Sequence, residues 1–158
     1  MARRLLDDST LCAISTVSTQ GRVHVNTAYF AWNREFDLMW LSDPGATHSR
    51  NLRKKPGAAI AVYDSNQSWD GPDRGIQLFG SAREAVGAIG REAERVYAGR
   101  FPAYVRGDLS EYGFYRFRPR RMKLFDEITL GAGVFVTARV RKTGQVVWER
   151  TDVYRPGA

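Results

Sequence analysis

Leu41-Ser42-Asp43-Pro44-Gly45-Ala46-Thr47-His48-Ser49-Arg50-Asn51-Leu52 is the stretch on which the reading of this chain turns. Its first two residues close the run Leu38-Met39-Trp40-Leu41-Ser42, short and apolar enough for a strand, and Asp43-Pro44-Gly45 stops that run as a turn. From Thr47 to Lys55 good helix formers surround a lone apolar Leu52 until Pro56-Gly57 ends the segment. A strand that turns directly into a helix is a recurrent anion site, because the first helical amides lack partners and carry the positive end of the helix dipole. Thr47 and Ser49 can donate hydroxyl hydrogen bonds there, Arg50 brings a permanent charge, and His48 brings one when protonated. Taken alone, the same residues also describe an ordinary capped helix with solvated basic side chains.

Outward from this stretch the chain is a succession of short strands and turns. Leu11 to Ser18 mixes apolar and β-branched residues, Thr19-Gln20-Gly21-Arg22 supplies a turn, and Val23 to Trp32 returns as its hairpin partner. The second run alternates, with Val23, Val25, Thr27 and Tyr29 on one side and His24, Asn26, Ala28 and Phe30 on the other. Ala58 to Tyr63 reads as a buried strand, Asp64 to Arg74 as a loop, and Ile76 to Glu84 as a further strand. Short helices are expected over Arg3 to Asp8 and Arg91 to Arg100, the latter from Ala93, Val96 and Tyr97 at helical spacing. Phe114 to Arg118 alternates aromatic and basic residues, and Pro119 interrupts it before Met122 to Phe125. Val134 to Arg141 and Val146 to Tyr154 flank Lys142-Thr143-Gly144-Gln145 as a final hairpin. The pattern predicts a β-rich α+β fold, an antiparallel split β-barrel with short peripheral helices, in a single domain over residues 1–158.

Composition removes several functions. The formal charge of +7 suits a nucleic acid, an anionic cofactor or an anionic substrate equally. With no zinc-finger spacing and no RNP motif, specific nucleic-acid binding is not expected. Arg116, Arg118, Arg120 and Arg121 beside Tyr115 and Phe117 read instead as a half-buried strand with solvated arginines. No apolar run approaches the ~20 residues of a membrane span, and the N-terminus lacks the apolar core of a secretion signal, so a cytoplasmic location is expected. The one cysteine, Cys12, lies among apolar residues and reads as a reduced, buried thiol. Two histidines, His24 and His48, form no metal-ligand cluster, so no metal site is expected. There is no G-x-S-x-G elbow or Walker motif, and Gly131-Ala132-Gly133 lacks the third glycine of a dinucleotide fingerprint; no catalytic residue is identified.

The order of segments supplies context. Leu41-Ser42, Arg50-Asn51-Leu52, Lys55-Pro56-Gly57-Ala58-Ala59 and Gln77-Leu78-Phe79-Gly80 follow one another as in the pyridoxamine 5′-phosphate oxidase-like split-barrel superfamily, which the chain resembles over about half its length. Arg100-Phe101-Pro102 and Thr129 to Gly133 resemble an uncharacterised subgroup of it. The resemblance implies a homodimer binding FMN near the subunit interface, with a deazaflavin coenzyme as the alternative cofactor and a small-molecule redox substrate. It places Ser42, Thr47, His48, Ser49, Arg50 and Asn51 on the phosphate side, and Asn26, Thr27, Ala28 and Gln77 near the ring. Where the oxidase pattern carries an Arg and a Lys on the ring-binding strand, this chain offers Asn26 and Ala31, and His48 replaces a helix-entry Lys. Fewer fixed cations imply weaker or pH-dependent phosphate capture. Arg53, Lys54 and Lys55 are candidates for the acidic tail of a deazaflavin. The functional expectation is a flavin-binding oxidoreductase; the alternative is a non-catalytic flavin- or haem-binding protein.

Overall fold

The computed structural model describes residues 1–104 and 109–155. A first helix, α1 (Ala2–Asp7), leads into β1 (Leu11–Val17), β2 (Val23–Tyr29), β3 (Ala31–Trp32) and β4 (Leu38–Ser42). Helix α2 (Thr47–Lys54) separates these from β5 (Gly57–Tyr63) and β6 (Arg74–Glu84), and α3 (Gly87–Arg100) precedes the long β7 (Gly113–Asp126). A turn of helix, α4 (Glu127–Leu130), and the hairpin β8 (Val134–Val140) and β9 (Val146–Val153) complete the described chain.

All the strand pairs are antiparallel, in the order β2-β1-β5-β6-β7-β4-β3 with β8 and then β9 branching from β7. The two ends of the main path, β2 and β3, are consecutive in sequence, so the sheet curls until the chain itself bridges its edges at Phe30. The anticipated strand from Val23 to Trp32 is therefore two strands. Phe30 is the corner, its N–H donating back to Thr10 O while its ring is fully buried.

Inside the curl lie Trp40, Tyr115, Phe30, Phe117, Ile14, Leu38, Ile60, Ile76 and Leu78, none of them solvent-exposed by more than a trace. Burying each such side chain stabilises the fold by about 1.5–3 kcal/mol. The alternation read from sequence supplies this core, one residue in two from each strand. β4 departs from it: Met39 points away from the barrel yet is buried, because α3 covers that face with Ala93 and Tyr97. Helix α2 plugs the barrel, placing Leu52 in the core and Asn51 on the buried Thr16 hydroxyl at 3.1 Å.

β7 is shared. Its first part, Gly113 to Phe117, pairs with β4, and its last part, Arg121 to Phe125, pairs with β8, while its other edge runs along β6 throughout. Pro119 does not end the strand. Phe79 pairs with Arg121 and Gly80 with Pro119, which leaves Arg120 as the extra residue of a β-bulge. Between Phe117 and Arg121 the edge of β7 away from β6 has no ladder partner among the described residues, so a proline is tolerated there.

Candidate functional site

The turn between β4 and α2 is built from its own side chains. Asp43 Oδ1 accepts from Gly45 N at 2.6 Å, and Ser49 Oγ donates back to Asp43 O at 2.8 Å. Helix α2 then starts after Ala46, whose extended backbone enters the helix without a side-chain cap, so the amides of its first turn are left for solvent or a ligand. Beside them, the Arg50 guanidinium donates to Gly45 O and to Thr47 Oγ1. Thr47 and Arg50 are exposed, whereas His48, Ser49 and Asn51 are buried.

His48 turns inward. Its Nε2 shares a 2.7 Å hydrogen bond with Ser42 Oγ at the end of β4, its ring meets Tyr115 edge-on at 6.4 Å, and His24 of β2 lies parallel to it at 6.4 Å. Burial is the main force holding the His48 pKa below the ordinary histidine value, His24 adds to it, and Asp43 opposes both. Its surroundings thus favour the neutral imidazole, which shares its hydrogen bond with Ser42 Oγ. The expected protonated phosphate ligand is not what its environment favours. Among Ser42, Thr47, His48, Ser49, Arg50 and Asn51, the one permanent charge is that of Arg50.

On β2 the predicted ring contacts separate. Asn26 and Ala28 share the inward face with His24, and Thr27 points to the opposite, exposed face. Consecutive strand residues face opposite sides of a sheet, so Asn26, Thr27 and Ala28 cannot all meet one ring through their side chains. Gln77 is exposed on the outer face of β6, where the register aligns Thr27, Ala13, Ala61 and Gln77 in one row across four strands. Three strand spacings, about 14 Å, separate Thr27 from Gln77 along that row. Ser42, His48 and the α2 entrance therefore form one group with the inner face of β2, and Thr27 and Gln77 belong to another surface. Ala31, offered as the counterpart of a cation, is fully buried beneath α3.

Inside the barrel several polar atoms lack partners: Asn26 Oδ1, Trp40 Nε1 and the Tyr115 hydroxyl are buried without a hydrogen bond among the described residues. Such atoms are costly unless water or a ligand meets them. His24, two residues from Asn26, shares its face of β2 and joins this group, which the alternation of the strand already implies. An anionic group suits the donors at the α2 entrance, since free amides, Thr47 and Arg50 converge there and Asp43 is engaged within its own turn.

The family model of pyridoxamine 5′-phosphate oxidase matches residues 1–126. The chain belongs to the pyridoxamine 5′-phosphate oxidase family. No curated protein matches the sequence. Solved structures share the family fold at low identity. A heme-binding protein from Mycobacterium smegmatis superposes with a TM-score of 0.74 at 19% identity, over 90% of this chain and 58% of that one. This chain thus spans little more than half of that protein. HutZ, the heme storage protein from Vibrio cholerae, gives 0.63 at 22% identity over 75% of this chain and 87% of its own. An F420 reductase gives 0.59 at 21% identity over 76% and 94%. The β8–β9 hairpin lies beyond the residues matched by the family model. No described helix is long and apolar enough to cross a membrane, and no cluster of metal-ligating side chains occurs among the described residues.

Proposed function

We propose that this member of the family is a flavin-dependent oxidoreductase that binds FMN, or a deazaflavin of the same architecture, at the mouth between β2 and α2. The observation that carries the proposal is the uncapped start of α2, with Thr47 and Arg50 beside it, next to a strand face whose Asn26 Oδ1 has no partner. The first-turn amides, Thr47 Oγ1 and Arg50 would hold the phosphate, and Asn26 would meet a polar atom of the ring. Ser49 and Asn51 shape this entrance from beneath through Asp43 O and Thr16 Oγ1. Ser42 and neutral His48 close the floor. The bound flavin supplies hydride or electron transfer, and the protein supplies position and electrostatics.

Thr27 and Gln77 are assigned instead to a contact with a second copy of the chain. Their row crosses Ala13 and Ala61 and is bordered by exposed Leu11, Val25, Tyr29 and Tyr63, a flat apolar surface on which a homodimer would bury these side chains. Light scattering that gives a monomer at micromolar concentration refutes this assignment.

The test of the cofactor is purification without additions, followed by a visible spectrum, mass analysis of the released ligand and titration calorimetry with FMN and the deazaflavin. Arg50→Ala weakens FMN binding by about 1.5–3 kcal/mol, the scale of a hydrogen bond to a charged group. Unchanged affinity in that variant moves the site elsewhere. One observation favours a second reading, non-catalytic haem binding: the His24 ring is half-exposed at the same mouth and makes no hydrogen bond among the described residues. A haem spectrum lost in His24→Ala, with no flavin recovered, would establish that reading in place of the first.

A further inference from the structure

On the outer face of the sheet, at the point where β8 branches from β7, lies an open groove of about 950 Å³. Arg118, Arg120, Arg121, Arg139, Arg141 and Lys142 line it, against the single carboxylate of Glu149. So many like charges in one groove repel one another, and the strands have irregularities that increase the crowding. The bulge in β7 places consecutive Arg120 and Arg121 both on the exposed surface, where a regular strand would send one of them to the other face. A second bulge lies opposite. Thr137 pairs with Arg150 and Ala138 with Trp148, so Glu149 is the extra residue of β9.

Glu149 uses that position to order two arginines at once, accepting from Arg121 Nε at 2.8 Å and Arg139 Nε at 3.0 Å. Arg118 is held from the other side by Asp37 at 3.1 Å. Arg141 meets only the neutral Gln145, and Arg120, Arg141 and Lys142 have no carboxylate partner among the described residues. The groove is therefore half pre-ordered and strongly cationic. Its cations are arginines with one exception, and the planar fork of arginine matches phosphate oxygens two at a time. Phe79, 41% exposed, is paired across the ladder with Arg121, and Pro119 and Val140 extend an apolar strip beside it. An aromatic face next to phosphate-binding forks suits a ligand with a flat base and a chain of phosphates.

We propose that this groove binds a nucleotide with two or more phosphates, the phosphates on Arg120, Arg141 and Lys142 beside the pre-ordered Arg121 and Arg139, and the base against Phe79. The site is separate from the α2 entrance and does not depend on the flavin proposal. Titration calorimetry of the whole protein at fixed, moderate salt tests it with ATP, AMP and inorganic tripolyphosphate. ATP is expected to bind at least tenfold more tightly than AMP and more tightly than tripolyphosphate. Arg120→Ala and Arg141→Ala, both at exposed positions, each weaken ATP binding by roughly tenfold or more. Phe79→Ala lowers ATP to the level of tripolyphosphate, and Arg50→Ala leaves ATP binding unchanged. Parent-level ATP affinity in the Arg120→Ala/Arg141→Ala double variant, or no ATP binding by the parent, overturns the proposal. Equal affinity for ATP and tripolyphosphate removes the nucleotide from it. Oligothymidylate binding tighter than ATP, with a steep salt dependence, would replace it with a nucleic-acid surface.

Discussion

Replacing Gly80 with alanine would test the bulge on which the arrangement of β7 depends. A Cβ at Gly80 would lie 2.1 Å from Arg118 O, 2.8 Å from Pro119 Cα and 2.9 Å from Arg118 C, all backbone atoms. No side chain can rotate away, so β6 and β7 must separate by more than 1 Å to reach an ordinary contact of about 3.5 Å. Overpacking of this kind costs about 1–3 kcal/mol, and a lost ladder hydrogen bond adds about 1 kcal/mol. The sum, about 2–4 kcal/mol, is a large fraction of the roughly 5–15 kcal/mol that holds a domain together. For a chain of this size each kcal/mol moves the melting temperature by about 2–4 °C, so a fall of roughly 5–15 °C is expected. Thermal unfolding followed by circular dichroism measures it. A variant that melts within about 2 °C of the parent would mean that the strands part here without cost and that the bulge does not depend on glycine.

Three further outcomes follow from burial and charge. Burial pushes the Cys12 thiol up to about 12, so thiol reagents should fail to modify it until the chain unfolds, and rapid labelling of the native protein would contradict this. Burial raises the Asp126 pKa, but hydrogen bonds from Arg4 and Thr129 outweigh it and hold the carboxyl below 3.8; the stability this gives is present above that value and lost as pH falls through the folded pKa. Asp126→Asn should therefore flatten the acid limb of a stability profile below about pH 4, and an unchanged limb would sink the assignment. The lowered pKa of His48 makes the unfolded chain bind a proton more readily below pH 6.5, so stability should decline from there downward, and His48→Gln should remove part of that decline in urea titrations at stepped pH.

Much of the fold is legible in the sequence because the strands state their own period. Leu38 to Ser42 and the helix from Thr47 occur where the turn residues Asp43-Pro44-Gly45 place them. Three features are not local and escape such a reading. Phe30 breaks one alternating run into two strands because the chain turns a barrel corner there, and nothing in the alternation marks the corner. Pro119 looks like a terminator, but one edge of β7 has no ladder partner there among the described residues, which allows the strand to continue. Helix α3 begins at Gly87 rather than near Arg91, through glycines that carry no helical preference. The candidate site divides along the same line. Thr47, Ser49, Arg50 and Asn51 follow from the helix start, whereas the inward turn of His48 depends on Ser42 lying beneath it. The alternation of β2 already separates Thr27 from Asn26 and joins Asn26 to His24. Gln77 was grouped with them by resemblance, and the register puts it on the outer surface.

The way β7 divides its two partners has a consequence for inheritance. The family match ends at Asp126, the last residue of β7, so the strand that completes the shared barrel is also the foundation of the hairpin beyond it. Between Phe117 and Arg121 that strand has no ladder partner on the branching edge among the described residues. An exchanged hairpin would still be felt inside the barrel, because Ala138 and Val140 of β8 share the buried core with Met122 and Leu124 of β7. The shared strand would act as a graft junction that accepts a new hairpin only where the newcomer brings apolar side chains to those two positions.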